Sequence, residues 1–103
     1  MNKIERVIFM EKIFDEADET IRNFSSVLRA YREIQAKIKQ LAEYYHGEDW
    51  RNDFEDDEAG KFPANLKRGV LSEDAIYNLL SENNDLLSDT LETIAGILRD
   101  GRC

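Results

Sequence analysis

Residues 1–46, MNKIERVIFMEKIFDEADETIRNFSSVLRAYREIQAKIKQLAEYYH, contain neither glycine nor proline and repeat apolar side chains at helical spacing almost throughout. A seven-residue count puts Val7, Phe14, Ile21, Leu28, Gln35 and Ala42 at one seam position. Met10, Ala17, Phe24, Tyr31, Ile38 and Tyr45 fall at the other. Ile13, Val27, Ile34 and Leu41 recur on one flank and widen the stripe to the face of a helix that touches two neighbours. The pattern predicts one long helix over 3–46, built for a bundle rather than a simple zipper. Asp18 with Arg22 and Glu33 with Lys37 place the acid four residues before the base, the favourable order on a helix. Asn23-Phe24-Ser25-Ser26 is the weakest helical stretch, but it holds no breaker. Gly47 is the expected left-handed stop, with His46 in the last turn.

Downstream, residues 47–71 read as a connection containing a short acidic helix, with Trp50 and Phe54 four apart on one face. Gly60 and Pro63 break it. Ser72 is the expected N-cap of a second long helix over 72–100, with Leu71 and Ile76 at the two positions of a hydrophobic staple. Ile76, Leu80, Leu87, Ile94 and Leu98 form its stripe, and Gly101 is its expected stop. The reading is therefore all-α and a single helical domain over 1–103: a long N-terminal helix packed antiparallel against a shorter C-terminal one. If the two helices start at a common end, the second reaches only to about Glu19. The first eighteen residues then overhang by ~27 Å, at ~1.5 Å per residue.

That overhang carries Ile4, Val7, Ile8, Met10, Ile13 and Phe14, too much apolar surface to remain in water. A two-fold homodimer that completes a helical bundle is the expected remedy. The same register sets Gln35 opposite Asn83 as a buried amide pair fixing the alignment of the helices.

The net charge of −8 argues against direct nucleic-acid binding through phosphate neutralisation. Its distribution is uneven, with residues 1–20 holding six acids and three bases and residues 21–46 two acids and five bases. Such polarity suits the helix dipole and an acidic neighbour along the basic half. The four-residue apolar run Val7–Met10 is too short for a membrane span, and the one cysteine, Cys103, forms no intrachain disulfide and reads as an inert terminus. A cytoplasmic protein is expected.

Asp53, Glu55 and Asp57 mimic the opening of a calcium loop, yet Glu58 stands where glycine is required and Ala64 where the closing glutamate belongs. The single histidine offers neither a zinc site nor a nucleophile–base pair. No enzyme activity, metal or cofactor is expected. Lys67 and Arg68, before Ser72, could contact an anion at a helix start or neutralise the adjacent acidic segment, and the abundance of nearby acids favours the second role. Trp50 belongs to an aromatic group with Tyr44, Tyr45, Phe54 and Phe62, a satellite core unless the indole is exposed to a partner.

The run Leu66-Lys67-Arg68-Gly69-Val70-Leu71-Ser72-Glu73-Asp74, followed by Ala75-Ile76-Tyr77, resembles a family of short bacterial proteins known only as a domain of unknown function. Tyr44-Tyr45, Trp50 and the long opening helix extend the resemblance over nearly the whole chain. It implies a bacterial, intracellular helical protein and carries over no activity or catalytic residue. The leading expectation is a self-associating interaction module or adaptor, with room for a further, unidentified protein partner. The alternative is an acidic mimic of nucleic acid that inhibits a DNA- or RNA-binding protein. A phosphate-ligand module at Lys67, Arg68 and Ser72 is a third reading.

Overall fold

The computed structural model describes residues 1–101 and is all-helical there; Cys103 lies outside the described residues. Helix α1 runs over Lys3–Tyr45, α2 over Glu48–Glu58 and α3 over Ala75–Asp100, with a 3-10 turn at Gly69–Leu71 before α3. Helix α1 is continuous through Asn23–Ser26. The chain divides into two compact units, Met1–Lys37 and the part from Ile38 onward. Helix α1 contributes to both.

The first unit is a length of α1 alone. Its start is fixed by a capping box: the Asn2 side chain accepts the Glu5 amide at 2.8 Å, and the Glu5 carboxylate accepts the Asn2 amide at 3.4 Å. Arg22 pairs with Asp18 at 3.2 Å, one turn apart on an exposed face. Such a pair adds only a few tenths of a kcal/mol.

The second unit holds the core. Gly47 is not a left-handed stop: its φ of −96° and ψ of 177° are extended, because the chain starts α2 at the next residue and needs an N-cap conformation there. A side chain at Gly47 would also come within 3.2 Å of the Glu43 carbonyl oxygen. The left-handed residue is Gly60, at φ 73°, which ends α2 as its amide turns back to the Asp57 carbonyl at 3.0 Å.

Aromatic stacking closes the α1–α2 corner. Trp50 stacks on Phe54 with centroids 5.2 Å apart and meets Tyr45 edge-on at 4.9 Å. Its indole N–H donates to the Val70 carbonyl at 2.9 Å, tying α2 to the 3-10 turn. Across the same corner the Tyr44 hydroxyl donates to Asp53 at 2.7 Å. The turn delivers Leu71 into the interior, and α3 opens with Ile76; at 5% and 2% exposed, these are the two buried side chains among the described residues. Leu41, near the end of α1, shares a groove with Ile76 and Leu79, so the end of α1 packs against the start of α3.

Ser72 does not cap α3. Its hydroxyl donates to the Gly69 carbonyl at 2.9 Å and its amide to the same oxygen at 3.1 Å, so it closes the 3-10 turn instead. The first bond of α3 runs from the Asn78 amide to the Asp74 carbonyl, which moves the start to Ala75. Of the expected α3 stripe, Ile76 is buried and Leu80 half-buried, while Leu87, Ile94 and Leu98 stay exposed.

Burial pushes the Tyr44 hydroxyl up to about 12 from 10.0, helped by its bond to Asp53 and by the negative charges of Asp53 and Asp49. A raised folded value means that Tyr44 contributes its stability fully below pH 10.0 and loses it as pH climbs toward about 12. An alkaline absorbance titration should therefore show one late-ionising tyrosine that disappears in Tyr44→Phe. Because Ile76 is the most buried side chain, Ile76→Ala should cost about 2–5 kcal/mol, read as a lower urea midpoint for the second unit.

Candidate interaction surface

All residues from Met1 to Ala30 are exposed. Ile4, Val7, Ile8, Met10, Ile13 and Phe14 lie in this stretch, with Phe14 at 67% and Val7 at 56%. Exposure goes well past the eighteen residues expected: Ile21, Phe24, Val27 and Leu28 are open as well. The apolar seam is therefore wet from Val7 to Leu28, and half-buried only from Tyr31 onward. Ile8 stands apart from it. With Met1, Glu5, Phe9 and Lys12 it lines a shallow depression off the seam, and the half-exposed Phe9 has no place in the seven-residue pattern.

The polar candidates are occupied within the chain. Arg68 pairs through its Nε with Asp57 at 3.2 Å, and its Nη1 donates to the carbonyls of Phe62 and Pro63 at 3.4 and 3.3 Å. With Arg68 and the Ser72 hydroxyl engaged, the anion contact imagined at this helix start keeps only Lys67, which borders the groove of Leu41, Val70, Ile76 and Leu79. Trp50 is half-buried and its polar atom is spent on Val70, so it is part of the satellite core, not an exposed anchor. Gln35 is half-buried and donates to the Tyr31 carbonyl one turn back at 3.2 Å. Asn83 is half-buried on α3.

The acidic segment is ordered as α2, and three of its seven carboxylates have partners within the chain. Asp53 accepts from Tyr44, Asp56 pairs with Lys61 at 3.4 Å, and Asp57 holds Arg68. Glu48, Asp49, Glu55 and Glu58 remain exposed. Among the described residues no group of acidic, histidine or cysteine side chains could hold a metal ion, and no helix is long and apolar enough to cross a membrane.

Two features escaped the sequence reading although both had signals. Asn2 three residues before Glu5 carries the spacing of a capping box, with asparagine in place of the usual serine or threonine. The Tyr44–Asp53 bond joins residues whose nine-residue separation becomes contact only once the chain turns at Gly47. The cap should be measurable: Asn2→Ala should cost about 1 kcal/mol and fray the first turn of α1, seen as faster amide exchange there.

Neither a curated protein nor a solved structure matches this chain. A family model described as a domain of unknown function, DUF4298, matches residues 7–93, from the first seam valine to well inside α3. The chain belongs to that family.

Proposed function

We propose that this protein is a self-associating helical interaction module of the cytoplasm, without catalytic activity, that uses the first unit of α1 as its association surface. The observation that carries the reading is the exposure of the whole apolar seam from Val7 to Leu28 on one helix. Exposed apolar surface on this scale marks interaction sites. A helix with no tertiary packing is also marginal in water, since most helical stability in proteins comes from burying an apolar face. A partner supplies both needs at once.

The chemistry of the second unit fits this reading. Tyr44, Asp53, Arg68 and Ser72, the groups a catalytic site would draw upon, are engaged with one another or with backbone carbonyls. The mimicry of nucleic acid loses ground for a related reason. Three of the seven α2 carboxylates are already engaged by the chain's own Tyr44, Lys61 and Arg68.

Native mass measurement of the wild type beside a Val7→Asp, Met10→Asp double variant tests the proposal. At micromolar concentration the wild type should be a dimer or larger. The variant should associate at least ~100-fold more weakly, because a carboxylate buried at the seam costs several kcal/mol. A monomeric wild type at that concentration overturns the reading.

A further inference from the structure

Resting on that reading, we infer that the occupant of the exposed seam is the same segment of a second copy, lying antiparallel, with the two-fold axis beside Glu19. Charge gives the direction. Residues 1–19 hold six acids and three bases, whereas residues 20–37 hold one acid and four bases. The first unit is thus a rod with net charge −3 on one half and +3 on the other. Parallel copies would set like halves together, and antiparallel copies set each acidic half against a basic one, twice over. Complementary charge of this kind fixes orientation and register more than it adds affinity.

The seam gives the register. Two antiparallel copies pair one seam position with the other, and a single alignment brings Met10 opposite Leu28, Phe14 opposite Phe24 and Ala17 opposite Ile21. Every one of these residues is exposed. The widened flank agrees: the same alignment sets Ile13 beside Val27, 46% and 65% exposed. A shift by one heptad toward the N-terminus places Ile13 beside Thr20 instead. Small Ala17 next to the axis lets the helices approach closely, with Phe14 and Phe24 filling the layers on either side. The two copies of Asp18 that approach each other near the axis each bring a counter-ion, Arg22 at 3.2 Å.

Spin-label distances test direction and register, in full-length chains carrying Cys103→Ser and a single labelled cysteine. Glu19→Cys and Glu33→Cys lie on the side of α1 away from the seam, and both positions are exposed. In the antiparallel arrangement the two Glu19 labels have no axial offset and sit about 20 Å apart, an interaxial spacing plus two helix radii. The two Glu33 labels are offset by about 42 Å along the axis, at ~1.5 Å per residue over 28 residues. Raising the salt should weaken the dimer without changing these distances. Equal short distances at both sites mean a parallel pair, and a minimum at a residue other than Glu19 means another register. Either result overturns the inference while leaving self-association intact. A monomeric mass, with no inter-label distance at all, overturns both.

Discussion

The cost of leaving an apolar helix face in water governs this molecule. The chain spends its helical potential mainly on α1 and α3, yet Leu71 and Ile76 are the side chains it buries among the described residues. Two helices and a corner cannot enclose more, since a pair of cylinders leaves most of each circumference open. The apolar residues that remain are arranged in rows, which is what separates an interaction surface from the scattered exposed leucines of any protein surface.

Within the second unit the stabilising forces are local and mixed. Trp50, stacked on Phe54 and edge-on to Tyr45, joins α2 to the end of α1. The indole bond to Val70 carries that orientation across the connection to the turn that buries Leu71. Arg68 performs a similar service from the other side, holding α2 through Asp57 while it satisfies two carbonyls of the proline-containing loop. Each link is modest, and together they fix where α3 begins.

The helices were legible because absence is a strong signal: without glycine or proline, nothing between Met1 and His46 could stop an apolar repeat of helical period. Trp50 and Phe54 were legible for the same reason, four apart on one face. Helix ends were harder. Gly47 and Ser72 are both good terminators by type, and both are used otherwise, because each residue faces two ends at once. Gly47 must begin α2 as α1 finishes, and the Ser72 hydroxyl bonds to the Gly69 carbonyl, leaving α3 without a side-chain cap. Composition reveals which groups can bond, and only the folded path decides which bond forms. The extent of the exposed seam was underestimated on similar grounds, since counting helical length says how far a partner helix could reach and nothing of how much it would cover.

Placing the single tryptophan inside the aromatic corner has an optical consequence. Its emission reports on the packing of Tyr45, Phe54 and the Val70 carbonyl, all in the second unit, while the first unit contributes no indole at all. Indole fluorescence thus reads the second unit alone. Unfolding of the corner can be followed by its own emission, without attaching a probe.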